Sequence, residues 1–393
     1  MPSRAERQRA VAATKILPSA QADTAGIDSL CRTLDSNRSP ARGAPPVHLR
    51  LGGVTDAYDA LLLVSFGGPD GPADVLPFLE NVTRGRDVPR ARLEEVAERY
   101  HHFGGASPIN AENQLLLSAI RRDFADSGVT LPVYWGNRNW HPYLADTVRT
   151  MAADGITRAL AFVTSAYSSY SGCRQYQEDL ERARAEVGPA APQIDKLRHY
   201  FNHPGFIDAN AAAVRAALKS VPESRRETTR LIFTAHSIPV TMARDSGPEG
   251  DLYERQLREA AGLVAAATSN LGWNLAWQSR SGSPQVAWLE PDVNDLLREL
   301  ARAGATDVVV SPIGFVSDHL EVRWDLDTEA ATTAADLGLG FTRAATAGRD
   351  PRFVTMVCEL VAERTAAAHP RRALGTMGPG HDRCPTGCCL SRR

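Results

Sequence analysis

The sequence predicts an α/β protein of two lobes, each a four-stranded parallel sheet flanked by helices. Three observations predict it. Six apolar, β-branched runs lie at 60–66, 131–134, 159–164, 231–234, 275–277 and 308–311, with weaker ones at 193–197 and 339–342. Amphipathic stretches of helical period separate them. Several runs stop abruptly at polar or titratable residues, as strands do where they meet a ligand crevice. Continuously apolar strands are covered on both faces, and strands alternating with helices make parallel sheets.

Taken in order, the run at 60–66 ends at Gly67-Gly68-Pro69. That triplet has the position of a phosphate loop, but no GxGxxG and no GKS or GKT follows, so nucleotide binding is not indicated. Helical stretches follow at 92–101 and 112–126, with the tight turn Gly104-Gly105-Ala106-Ser107-Pro108 before the second. The run at 131–134, the helix 143–153, the run at 159–164, the helix 175–185 and the run at 193–197 complete a first lobe over 57–203. The pattern repeats over 204–350, with helices at 207–220, 252–270 and 293–303. A last helix spans 353–367 within the segment 351–369, and the tail 370–393 loses periodicity and gains Gly, Pro and Cys. A chain of 393 residues is too long for one ordinary core, and a crevice between two lobes is the natural ligand site.

Composition excludes several classes. Lys and Arg number 44 against 46 Asp and Glu, so nothing argues for a nucleic-acid partner or an acidic tail. No apolar run is long enough for a transmembrane segment. Residues 1–55 are rich in Ala, Arg, Ser and Pro and contain no aromatic residue. They read as a disordered extension without a packed core, or as sequence upstream of the true start. The segment lacks the apolar stretch of a secretory signal, and Asp23, Asp28 and Asp35 weaken a transit-peptide reading. The expected location is cytoplasmic, where disulfides are rare. Of six cysteines, three (Cys384, Cys388, Cys389) crowd into the last ten residues, which suggests a metal or cluster rather than a staple.

Two strand ends carry the chemistry. LIFTAHSIP places His236 at the end of one run, and VVVSPIGFVSDHLE places Asp318, His319 and Glu321 after another. An imidazole beside a carboxylate can move protons or hold a metal. Each also has a bland reading: His236 as a buried core histidine, and Asp318 with Glu321 as a capping box opening a helix. Glu321, Asp325 and Glu329 recur in steps of four, which puts them on one helix face. That face is either merely solvated or a ladder of oxygen ligands. Arg84-Gly85-Arg86 is a small basic cluster able to clamp carboxylates.

LLLVSFGGP, ENVTRGR, HFGGASPIN, YWGNRNWHPYLAD, SAYSSYSGCRQY, FTAHSIP, AWQSRSGSPQVAWLEPDV and GFVSDHLEVRWDLD occur in this order over 58–330. Together they resemble the ferrochelatase family, most closely its actinobacterial type. The resemblance implies two Rossmann-like lobes of chelatase type and insertion of Fe²⁺, as substrate, into a porphyrin for haem biosynthesis. It implies that His236 and Glu321 face each other across the porphyrin pocket as catalytic and iron-contacting residues. Asp325 and Glu329 continue as a metal path, and Arg84, Ser107 and Tyr176 fall where the family contacts porphyrin propionates. Some relatives carry a Tyr that can face the metal where this chain has Phe66, which leaves Phe66 a packing role against the ring. Cys173, Cys384, Cys388 and Cys389 match the four cysteines that hold a [2Fe–2S] cluster in that subgroup; a zinc site or free redox-active thiols are the alternatives, and Cys31 and Cys358 stand outside the set. The subgroup takes coproporphyrin III, with four propionates, for which Arg86 and Arg174 are further rim candidates. Protoporphyrin IX, with two, is the alternative substrate. A downstream haem-synthesis enzyme is the implied partner. A non-catalytic tetrapyrrole or iron–sulfur sensor and a cobalt or nickel chelatase are the rival readings on the same scaffold.

Overall fold

The computed structural model describes residues 58–391 except 269–270, 283–284 and 367–368. The reading of 1–55 as an extension, and Cys31 with it, lies outside the described residues. Among the described residues eight strands form two four-stranded, all-parallel sheets. In the first lobe β1 (Ala60–Ser65), β2 (Val133–Asn137), β3 (Arg158–Val163) and β4 (Gln193–Lys196) stand in the order β2-β1-β3-β4. In the second, β5 (Thr229–His236), β6 (Trp273–Gln278), β7 (Asp307–Ser311) and β8 (Gly340–Arg343) repeat it as β6-β5-β7-β8. Each sheet therefore has a switch point at the carboxyl end of its first strand, the ligand-binding position of open parallel sheets.

Burial explains why the strands read as continuous apolar runs. Along β1, Leu61 and Leu63 face a central core while Ala60, Leu62 and Val64 face an outer one. In β5, Leu231, Phe233 and Ala235 face the same central core and Ile232 faces away. One core thus joins the inner faces of both sheets through α3 (Ile109–Asp126), α6 (Pro204–Lys219), α8 (Leu252–Thr268) and α11 (Pro351–Thr365). The outer faces are closed in the first lobe by α4 (Leu144–Ala153) and α5 (Gln175–Val187), and in the second by α9 (Val293–Arg302) and a helix over 320–336, α10.

Three differences from expectation have physical causes. β2 begins at Val133 rather than 131, because Pro132 has no amide hydrogen to give the ladder. Two helices the pattern did not indicate, α1 (Val75–Val82) and α7 (Val240–Arg244), are short. With α2 (Arg90–His102), α1 builds a separate apolar cluster of Val75, Phe78, Leu79, Leu93, Ala97, Tyr100 and Trp140 that reaches across to Leu320. Finally, α10 is α-helical only at Leu320–Val322 and Ala331–Asp336, and Arg323–Ala330 between them is a π-helix. π-Turns are rare and concentrate at functional sites.

Candidate active site

His236 is the last residue of β5, and Glu321 opens α10 in the loop after β7, the neighbouring strand across the switch point. Their side chains are 33% and 47% exposed, and Nε2 of His236 stands 3.8 Å from Oε2 of Glu321. The imidazole is not a satisfied core histidine. Its Nδ1 lies 2.5 Å from the Ser237 carbonyl oxygen, which can only accept. Nδ1 therefore carries the proton of the neutral ring, and the unprotonated Nε2 is the nitrogen nearest Glu321. Tyr253 Oη donates to the His236 carbonyl at 2.9 Å and fixes the backbone beneath.

His319 Nδ1 lies 3.9 Å from the same Glu321 oxygen. Burial holds the His319 imidazole below its usual range, and a charged His236 would press it lower, against the pull of Glu321 and Asp318. One carboxylate oxygen thus sits between two imidazole nitrogens, both beyond hydrogen-bond reach. At bonds of about 2.0–2.2 Å, two ligands of one ion stand roughly 3–3.6 Å apart at octahedral to tetrahedral angles, slightly closer than these groups. The spacing also decides geometry. A flat ring needs about 3.5 Å to atoms on either side, so none fits between His236 and Glu321 at 3.8 Å, and the expectation that they face each other across the pocket is corrected: both come from strand ends of the second lobe.

The capping-box reading of Asp318 and Glu321 is corrected. The N-cap of α10 is His319, with no side-chain cap bond. Asp318 turns away from the cleft into an ion pair with Arg343 at 2.9 Å. Behind Glu321, Asp325 is buried and accepts from Ser279 Oγ at 2.5 Å. Burial pushes its carboxyl up to about 7; the Ser279 bond opposes this, and the charges of Glu321 and Glu329 add to it. Glu329 lies at the outer end, where Trp324 Nε1 donates to it at 2.8 Å, and it lines a groove of about 500 Å³ with Asp292 and Asn294. The wider turn of the π-helix keeps steps of four on one face. The second-lobe acids therefore run from cleft to surface through one buried carboxyl.

The first lobe supplies other features. Phe66 follows β1, is 37% exposed, and meets Phe78 edge-on at 6.3 Å. Ser107 is held against the same loop: its amide donates to Pro69 O at 2.8 Å, and a Cβ on Gly68 would come within 2.7 Å of it. Arg84 is exposed on the turn after α1, as is Arg86. Tyr176 is buried beneath the Arg138 guanidinium, which lies 4.8 Å from its ring. Arg174 pairs with Glu178 at 3.2 Å. Tyr100, on α2, is fully packed and close enough for the Glu321 charge to raise its phenol further. The motifs did not single out Tyr100, Ser279 or Arg343. Only Arg343 carried a signal, as a charged residue ending a strand.

The cysteines converge from distant segments. Cys173 precedes α5, and its Sγ lies 3.7 Å from that of Cys384 in the tail; Cys388 and Cys389 are 3.7 Å apart. Hydrogen bonds from the Cys384 and Cys389 thiols hold Cys173 far below the usual thiol range, against its burial, and those two partners are raised in turn. Lys196 Nζ and Gly247 N donate to Cys173 and Cys389 sulfurs, each at 3.1 Å. Adjacent cysteines need a backbone adjustment to share one site, and Cys389 supplies it with φ of 53°. Four sulfurs with N–H donors around them suit an iron–sulfur cluster. His381 also comes near: its ring nitrogen and the Cys384 and Cys388 sulfurs lie within 4.8 Å of one another. Cys358 lies apart on α11, its thiol pushed up to about 11 by burial and Asp123.

A family model described as ferrochelatase matches residues 58–365. The chain is 58% identical over 344 residues to the coproporphyrin III ferrochelatase of Nocardia farcinica, covering 86% of this chain and 98% of that one. It is 56% identical to the coproporphyrin III ferrochelatase of Frankia alni, covering 86% and 88%. Among solved structures, SirB from Bacillus subtilis with Fe³⁺ is similar at a TM-score of 0.46 and 12% identity, over 80% of this chain and all of that one. No helix among the described residues is long and apolar enough to cross a membrane.

Proposed function

The chain belongs to the ferrochelatase family, and on that premise we propose that it inserts Fe²⁺ into coproporphyrin III in haem biosynthesis. The observation that carries the reading is the unprotonated His236 Nε2 beside the Glu321 carboxylate at 3.8 Å. Two pyrrole N–H protons must leave as iron enters. Nε2 of His236 takes a proton, and Glu321 balances the imidazolium and offers an oxygen to the ion. Asp325, raised to about 7, holds a proton in part of the molecules near neutrality, so it can release one as iron passes or accept one from the site. Glu329 is the outer end of that path.

Phe66 packs on the ring from the first lobe, and Ser107 and Arg84 meet its carboxylates. Tyr176 is buried under the Arg138 guanidinium, which is itself paired with Asp179 at 2.9 Å, so Tyr176 takes part by bracing that pair beneath the rim. The preference for coproporphyrin III over protoporphyrin IX rests on the relatives at 56–58% identity. The test is an insertion assay in which both porphyrins compete for Fe²⁺. The expected result is at least tenfold higher kcat/KM for coproporphyrin III. Equal or reversed preference removes the substrate assignment, and no insertion into either removes the activity.

Cys173, Cys384, Cys388 and Cys389 are the residues that would hold a [2Fe–2S] cluster. Bound there, it supplies one-electron chemistry that metal insertion does not need, so its role is to tie the tail to the first lobe or to sense oxidants. Analysis of purified protein is expected to give about two irons and two acid-labile sulfides per chain; one zinc and no sulfide would reject the cluster. We place the reaction in the cytoplasm, with its product passing to a later haem-synthesis enzyme.

A further inference from the structure

β8 ends at Arg343, in register with Val310 of β7. Its guanidinium serves two carboxylates at once. Nη1 and Nη2 donate to Asp318 at 3.1 and 2.9 Å, while Nε and Nη2 donate to Asp327 at 2.5 and 3.1 Å. All three side chains are at least 86% buried. Asp318 immediately precedes His319 and stands three residues before Glu321. Asp327 lies inside the π-helix, between Asp325 and Glu329. One rigid plane therefore holds both ends of the segment that carries His319, Glu321 and Asp325.

Further bonds tie the loop to the same place. Thr346 Oγ1 donates to Asp318 at 3.2 Å, and the Gly348 amide donates to the Val316 carbonyl at 2.7 Å. The clamp is a costly one for mere cohesion. Two buried carboxylates share one cation, and well-packed apolar residues would hold two segments together at least as well. What a doubly bidentate guanidinium adds is fixed angle as well as fixed distance. Glu321 needs both, because its oxygen stands between two imidazole nitrogens without touching either.

We propose that Arg343 is a positioning residue for metal insertion, fixing the Asp318 loop against the π-helix so that the Glu321 carboxylate is held over His236. The inference rests on the reading of His236 and Glu321 as the insertion pair. Lysine keeps the charge at 343 but lacks the fork, so Arg343→Lys is the informative variant. The measurements are Fe²⁺-insertion kcat, porphyrin dissociation constant by fluorescence quenching, and melting temperature, in wild-type and Glu321→Gln backgrounds. Arg343→Lys is expected to lower kcat at least fivefold with the porphyrin constant within twofold. In the Glu321→Gln background the same change is expected to alter the residual rate less than twofold, because Arg343 acts through Glu321. Where Arg343→Lys does not fold, Asp327→Asn removes one of the two forks and is read by the same criteria. A kcat within twofold of wild type in the folded variant, or an equal fall in both backgrounds, overturns the inference alone. A wild-type rate in Glu321→Gln by itself overturns the insertion pair, and this inference with it.

Discussion

The two lobes share one strand order, yet their switch points differ in kind. In the first lobe the groups packed around the switch point are mainly amides and a hydroxyl bonded to one another. Asn113 Nδ2 donates to Ser65 Oγ at 2.8 Å, and Asn137 Nδ2 donates to Asn110 Oδ1 at 3.2 Å. Asn110 in turn donates to the Gly68 carbonyl at 2.9 Å. In the second lobe the groups are titratable, and His236, His319 and Glu321 approach without hydrogen-bonding each other. A network of amides bonded to one another makes a rigid wall; titratable groups left open at a cleft are where acid–base and metal chemistry is sought. The same backbone thus yields a wall with an exposed Phe66 on one side and, on the other, the titratable groups proposed to carry the proton and metal chemistry.

That division can be broken by experiment, and the largest effect is expected in the second lobe. His236→Ala should lower kcat at least about 10²-fold, the usual reach of a positioned base, while porphyrin binding stays within twofold by fluorescence quenching. Turnover near wild type would move the chemistry elsewhere. In the first lobe the expected effect is smaller and of the other kind. Phe66→Ala should raise the porphyrin KM by roughly fivefold, equivalent to about 1 kcal/mol of lost ring contact, with kcat within about twofold. A collapse of kcat there would give the first lobe a catalytic share.

The last test reads stability rather than turnover. The Asp325 carboxyl is raised from 3.8 to about 7 in the fold, so the folded state holds its proton more tightly than the unfolded chain. That contribution is complete below about pH 4 and is lost as pH rises through 7. Asparagine imitates the protonated form. Asp325→Asn should therefore gain stability relative to wild type between pH 5 and pH 8, by up to a few kcal/mol on the scale of 1.36 kcal/mol per pH unit. Denaturant titrations at both pH values read it. Parallel curves would mean that Asp325 is already ionised in the fold.

Much of this was legible in the sequence. Eight runs became eight strands, because a strand buried on both faces must be apolar throughout, as Leu61–Val64 illustrate. His236 and Glu321 stood out because each follows such a run, and strand ends are where a parallel sheet meets its ligand. The helix over 320–336 was legible as a helix but not as a π-helix, since a repeat of four suits both. Asp318 was misread for a related reason. A capping box and an ion pair call for the same residue, and Arg343, its partner, lies 25 positions away.

By itself, the sequence determined the α/β class, the two-lobed repeat, the family and the pair of strand ends proposed to carry the chemistry. These follow from local pattern: period, length and the residue types where runs stop. Tertiary structure decided what depends on distances between remote segments. It left Nε2 of His236 nearest Glu321 by giving Nδ1 to a carbonyl, brought the two to 3.8 Å, and buried Asp325 until its carboxyl is raised to about 7. It also drew Cys173 to within 3.7 Å of Cys384 across 211 positions. Proton affinity and ligand spacing depend on what surrounds a group in space, and no one-dimensional pattern encodes that.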